Sequence, residues 1–333
     1  MDISLKDING YTFATVTNSS GLSLEVCEQG ASIYEIRYLG KPMNIVEASR
    51  EGFLKSTNYY GRSVGRMAGR LDEGNLPFKN EILHIDTNEG KNTLHGGKNN
   101  LSFQKWRLEV TDRDDITSLN FSILSPKGEN GFPGNLFIGV TYTLDKKEPI
   151  IRMEMTYVVD EDCPINLTNH TFFNLGGEET VEKQTLQIPA VGVEKYRKDL
   201  IPLGFEPLYE AVDFRNSKAI GKDINDPLLY TTRTKGYDHA FNIGPHHIEV
   251  PLVRMESDKF GMILKSTCPA LQFYSENYPD EKLMLNTLYR DALHAGAALE
   301  PVEAPLDFGS MLKEKGKRYS LQNVYEFYQL EEK

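Results

Sequence analysis

One imidazole stands in the stretch Asn166–Gly177, NLTNHTFFNLGG: His170, between Asn169 and Thr171 and followed by Phe172 and Phe173. Amides and a hydroxyl can hold a histidine in one tautomer, and aromatic rings give it an apolar wall. A histidine so placed is suited to moving protons near neutral pH; the plain alternative is a satisfied histidine at a strand end. His95 lies in Asn92–Gly97, NTLHGG, where glycines allow close approach of a ligand to the backbone. His239 follows Asp238 in GYDHAF, and His294 lies six residues before Glu300. His84, His246 and His247 have polar or loop-like neighbours and read as surface residues. Glu300 closes a run of small residues, AGAALE, and precedes Pro301. A carboxylate emerging from an apolar strand acquires a raised pKa and can act as a base; a strand-end charge facing water is the alternative. Arg62, Arg66 and Arg70 recur at a spacing of four. The interleaved Gly61, Gly65 and Gly69 disfavour a helix, so a loop presenting a guanidinium to hydroxyl groups fits better.

Other chemistries find little support. His95, His170, His239 and Glu300 could in principle gather round a metal, but there is no HExxH and no HxH followed by a nearby Glu, so no metal site is expected. The chain has no P-loop, no GxGxxG after a strand to support dinucleotide binding, and no GxSxG elbow. The net charge of −11 over 333 residues disfavours nucleic acid and anionic membranes as partners. Three widely spaced cysteines form neither a disulfide framework nor a zinc pattern. With no apolar leader and no 18-residue apolar run, a soluble cytoplasmic protein is expected.

The elements that must position these residues are strands. Leu22, Leu24 and Val26 alternate with Ser23 and Glu25, and Ala31 to Tyr38 is rich in β-formers. Val140 and Tyr142 sit among threonines ahead of a turn at Asp145-Lys-Lys-Glu. The clearest strand is Ile151 to Val159, where Ile151, Met153, Met155 and Tyr157 form one apolar face. Turn signals recur at Asn9-Gly10, Asn130-Gly131, Gly176-Gly177 and Lys315-Gly316. One helix is suggested, Glu281 to Ala292, from Leu285, Leu288 and Tyr289. Length alone suggests two domains. No linker or shift of composition divides the chain, so residues 1–333 read as one all-β domain, a large antiparallel β-sandwich.

Taken in order, several segments resemble the aldose 1-epimerases (galactose mutarotases): GASI at Gly30, YGRSVGRMAGR ending at Arg70, NTLHGG, GFPGN at Gly131–Asn135, NLTNHTFFNL, LIP at Leu200, DFR at Asp213, YDH ending at His239, LQFY at Leu271–Tyr274 and Leu299-Glu300. The resemblance implies a β-sandwich with a sugar cleft across one sheet, and cofactor-free interconversion of the α and β anomers of a free aldose. It implies Glu300 as general base and His170 as general acid, with Arg70, His95, Asp238 and Gln272 binding a small-molecule sugar and Phe172 or Phe173 offering it an apolar face. The chain departs from the family pattern at Gly69, where an Asn is usual, in Pro301–Leu306 and in the longer link Lys98–Ser102. These bear on which sugar is preferred. A hexose-phosphate epimerase of the same fold would need further cations at the cleft, for which Arg62 and Arg66 are the candidates. A non-catalytic sugar-binding protein would lack the Glu or the His. Nothing in the sequence speaks to oligomeric state.

Overall fold

Strand Ile150–Val159 illustrates how the larger sheet forms. Ile151, Met153, Met155 and Tyr157 are buried while Arg152 between them is exposed, as the two-residue period predicts. The preceding strand, Leu136–Asp145, reaches it through a turn in which Asp145 Oδ1 accepts from the N–H groups of Lys147 and Glu148 at 2.7 and 2.9 Å. Ile116–Ser125 and Arg107–Asp112 flank this pair on one side, and Arg318–Gln329, Phe260–Ser266, Pro251–Glu256, Thr185–Gln187 and Lys218–Ala219 on the other. Together they make a nine-stranded antiparallel sheet.

A seven-stranded antiparallel sheet runs in the order Pro202–Glu206, Gly192–Tyr196, Asp238–Asn242, Ala270–Tyr274, Ala297–Val302, Phe172–Phe173, Asn44–Ile45. Phe173, Phe273 and Leu299 from one face of it share a buried cluster with Met153, Met155 and Tyr325 of the nine-stranded sheet. The Phe173 and Tyr325 rings are 5.6 Å apart. The protein is therefore a β-sandwich, as expected, with a further five-stranded sheet at the N-terminus that includes Leu22–Cys27 and Ser32–Tyr38. The computed structural model describes residues 1–231 and 235–331. Among these, no helix is long and apolar enough to cross a membrane.

Two expectations are corrected. Residues 281–292 form no helix: Leu285 N–H donates to the Tyr289 carbonyl and Met284 pairs with Arg290, a hairpin-like arrangement. The Asn286 side chain fixes it, accepting from Val46 N–H and donating to the Asn44 carbonyl. The helical spacing produces no buried face, for Leu285 is buried but Leu288 is 83% exposed. Arg62 and Arg66 are not free to meet an anion. The Arg62 guanidinium is wholly buried between Phe53 and Phe103 and donates to Gln29 Oε1 and to the carbonyls of Asn58, Ser102 and Phe53. Arg66 donates to Ser125 Oγ and to the carbonyls of Ser125, Pro126, Pro133 and Gly134. The GFPGN segment is thus a receptacle for Arg66.

Candidate active site

Strand register builds one wall of a cleft. Gln272 pairs with Glu300, Asp238 with Tyr274, and Ala298 with both Tyr274 and Phe172. Because side chains alternate, these residues share the outer face of the seven-stranded sheet, while Phe173, Phe273 and Leu299 face the core. The sequence leaves Phe172 and Phe173 as equal candidates for the apolar face; only Phe172 lines the cleft, whose volume is about 720 Å³.

Loops complete the opposite wall. The backbone of His170 is held on both sides, its N–H donating to the Arg62 carbonyl and its carbonyl accepting from Gly61 N–H, each at 2.9 Å. Only glycine suits position 61, which has a φ of +67° and where a Cβ would stand 1.7 Å from the Ile33 carbonyl oxygen. The asparagines around His170 are scaffold. Asn169 donates to the Gly61 carbonyl and accepts from Thr171 Oγ1, and Asn174 ties Glu178, Gln184 and Ala295 together. Neither Asn169 nor Thr171 holds the imidazole in a tautomer, as the sequence suggested, since His170 Nδ1 is buried with no hydrogen-bond partner in any other described residue. A two-residue ladder pairs Leu94 with Arg70 and so brings His95 beside the guanidinium. The Gly69 N–H donates to His95 Nδ1 at 3.3 Å and the Gly69 carbonyl accepts from His95 N–H at 2.9 Å. His95 Nδ1 is therefore an acceptor, and the proton of the neutral ring sits on Nε2.

All six residues singled out in the sequence, Arg70, His95, His170, Asp238, Gln272 and Glu300, line the same cleft. His170 Nε2 lies 3.2 Å from Glu300 Oε1. Burial pushes the Glu300 carboxyl well up, with the charge of Asp238 adding and that of Arg70 opposing. Burial, opposed by a hydrogen bond to the residue's own backbone and helped by Arg70, brings the His170 imidazole down to about 3. Burial thus favours the uncharged form of both groups, a carboxylic acid beside a neutral imidazole. His95 is driven well down by burial, then by His170 and Arg70. Burial also raises Asp238, against Arg70 and Gln272. His239 and His294 do not line the cleft. His239 Nδ1 accepts from the Asp238 N–H, and His294 contacts Glu182 and the Lys235 carbonyl. Among the described residues no three His, Cys, Asp or Glu side chains gather as a metal site.

Three cleft residues had no signal in the sequence. Glu89 takes two donors of Arg70, Nε at 2.7 Å and Nη2 at 3.0 Å, and leaves Nη1 facing Asp238 Oδ2 at 3.9 Å. That gap is too long for a hydrogen bond and wide enough for a hydroxyl to bridge. Tyr196 Oη accepts from Ala240 N–H and donates to Gln272 Oε1 at 3.2 Å, so the Gln272 amide must present Nε2 to Asp238 Oδ1, at 2.6 Å. Tyr59 stacks on His170. Glu89 reads as a turn residue, and the two tyrosines are indistinguishable by type from the chain's other aromatics.

The comparisons with known proteins agree with this geometry. The family described as aldose 1-epimerase matches residues 13–326. The aldose 1-epimerase of Escherichia coli K12 is 32% identical over 283 residues, covering 80% of this chain and 79% of that one. The galactose mutarotase of Rattus norvegicus is 29% identical over 325 residues, covering 93% and 92%. Among solved structures, galactose 1-epimerase from Lactobacillus acidophilus superposes with a TM-score of 0.90 at 26% identity over 99% of both chains. With a family match spanning residues 13–326 and a relative 32% identical over 80% of the chain, the chain belongs to the aldose 1-epimerase family.

Proposed function

We propose that this aldose 1-epimerase opens and recloses a pyranose between Glu300 and His170. The Glu300 carboxylate takes the proton of the anomeric hydroxyl O1. The C1–O1 double bond forms, the C1–O5 bond breaks, and O5 takes a proton from the His170 imidazolium. After rotation about C1–C2 the roles reverse. His170 recovers the O5 proton, O5 adds to the other face of C1, and Glu300 returns its proton to O1. Atoms and electrons balance without a co-reactant. The observation that carries this reading is the 3.2 Å contact between His170 Nε2 and Glu300 Oε1, both buried in the cleft. Glu300 as carboxylic acid beside neutral His170 differs from carboxylate beside imidazolium only in where one proton sits, and a bound sugar selects the second form.

Arg70 Nη1 and Asp238 Oδ2 are suited to grip one ring hydroxyl from both sides, and the neutral His95 to donate from Nε2 to a sugar oxygen. Gln272 supports Asp238. The substrate is a neutral aldose: Arg62 and Arg66 are consumed by carbonyls, and Arg70 is paired with Glu89. This favours a free sugar over a hexose phosphate. Three buried free thiols, Cys27, Cys163 and Cys268, support a reducing, cytoplasmic setting.

Polarimetry on freshly dissolved α-galactose, α-glucose and maltose tests the reading. Catalysed mutarotation is expected with at least one of them and is expected to survive a chelator. Glu300→Gln and His170→Asn are each expected to lower kcat by at least about 10²-fold. Near-full activity in either variant overturns the assignment.

A further inference from the structure

A catalytic imidazole is usually aimed by a hydrogen bond on its second nitrogen. His170 has none from another residue: Nδ1 is buried, and the one polar group beside it is the residue's own backbone. What holds the ring is packing. The Phe172 ring lies 4.9 Å from it with 26° between planes, and the Tyr59 ring 5.8 Å away with 27°. Both rings lie nearly parallel to the imidazole. His95 meets it edge-on at 5.4 Å.

Tyr59 is held in turn. Its hydroxyl accepts from Asn100 Nδ2 at 3.3 Å, and the Phe103 ring packs edge-on at 5.2 Å. Asn100 is fixed by donating to the Gly97 carbonyl and accepting from Ser102 N–H. The link Lys98–Ser102, which the sequence marks as a departure, thus supplies the support for a ring stacked on His170.

We infer that Tyr59 is a positioning residue for the proton donor: with Phe172 it clamps the His170 imidazole in the plane that aims Nε2 at Glu300, and its π face stabilises the imidazolium that forms during turnover. This rests on His170 being the acid, as proposed above. The charged and titratable groups facing His170 are Glu300 at Nε2, His95 at its edge, Tyr59 on one face and Arg70 through space, with Asp238 acting on Glu300. Loss of the Tyr59 ring disfavours the imidazolium, so the acid form disappears at lower pH.

The test is kcat, KM and the pH profile of mutarotation, measured on whichever of galactose, glucose or maltose the wild type converts fastest. Tyr59→Met keeps bulk but has no ring. It is expected to lose about tenfold in kcat, with KM within about twofold and the alkaline limb moved to lower pH. Tyr59→Phe keeps the ring and is expected to retain kcat within about twofold. Asn100→Ala, which frees the ring without altering it, is expected to move the limb in the same direction by less. Wild-type kcat and an unmoved limb in Tyr59→Met overturn the inference. So does a loss in Tyr59→Phe as large as that in Tyr59→Met, and, if Tyr59→Met does not fold, so does an unmoved limb in Asn100→Ala. A wild type inactive on all three sugars overturns instead the reading of the site as a mutarotase.

Discussion

At the scale of residues, the proposed mechanism requires one proton between Glu300 and His170. A second proton leaves Glu300 uncharged beside an imidazolium, with no base; removal of the last leaves carboxylate beside neutral imidazole, with no acid. Burial raises Glu300 and lowers His170 to about 3, and both shifts widen the pH range of the one-proton form. The profile of kcat against pH is therefore expected to be a broad plateau, its acidic limb well below the 6.5 of an exposed histidine. Whatever rate survives in Glu300→Gln should lack that acidic limb, and in His170→Asn the alkaline one. A steep alkaline limb at pH 6–7 in the wild type would show instead that a group with the pKa of an exposed histidine is the acid. The residues themselves were legible because Glu300, His170 and their four companions lie in strings that match a family in order. Glu89, Tyr59 and Tyr196 were not, because each acts through a neighbour distant in sequence. Nothing in the local pattern around Glu89 announces that it fixes Arg70 from 19 positions away.

At the scale of elements, the same strings mix catalytic residues with scaffold, and burial separates them. Of the three arginines spaced by four, Arg70 alone reaches the cleft; Arg66 satisfies four carbonyls at the two ends of the connection between strands Ile116–Ser125 and Leu136–Asp145. Arg66→Met would leave those carbonyls buried and unpaired, at about 1–3 kcal/mol for each that finds no water. Urea unfolding should register a loss of about 3 kcal/mol or more, while kcat at a temperature where the variant stays folded should be nearly unchanged. A variant as stable as the wild type would mean that those carbonyls find other donors. The strands were legible wherever one face is wet, as in Ile150–Val159. The segment 281–292 was misread because three apolar residues at helical spacing satisfy the periodicity whether or not they bury a common face. The side chain of Asn286, hydrogen-bonded to the distant strand Asn44–Ile45, decides the matter.

At the scale of the whole molecule, the cleft wall carries an acidic cluster whose ionisation opposes the fold. Tyr60 Oη lies 3.3 Å from Glu276 Oε2 and 3.2 Å from Asp291 Oδ2. One hydroxyl proton serves one carboxylate, so the other contact requires a carboxylic acid as donor. Burial accordingly raises Glu276 to about 8, with Asp291 adding, and Asp291 to about 6. A carboxyl whose folded pKa exceeds its unfolded value binds its proton more tightly in the folded state. Its contribution is fully present below the unfolded pKa, near 4, and is lost as pH rises through the folded one. Asp199, held well below the usual carboxylate range chiefly by its hydrogen bonds with Arg197, works the other way: its contribution is present above its unfolded pKa and lost in acid. Glutamine mimics the protonated acid at all pH values. Glu276→Gln should therefore melt at or below the wild-type temperature at pH 4 and above it at pH 8. The difference in Tm should grow between about pH 5 and 8, with Asp291→Asn doing the same over a lower range. Parallel melting curves for wild type and Glu276→Gln across that range would mean that Glu276 ionises as freely in the folded protein as in the unfolded chain, and that the cleft wall tolerates the charge.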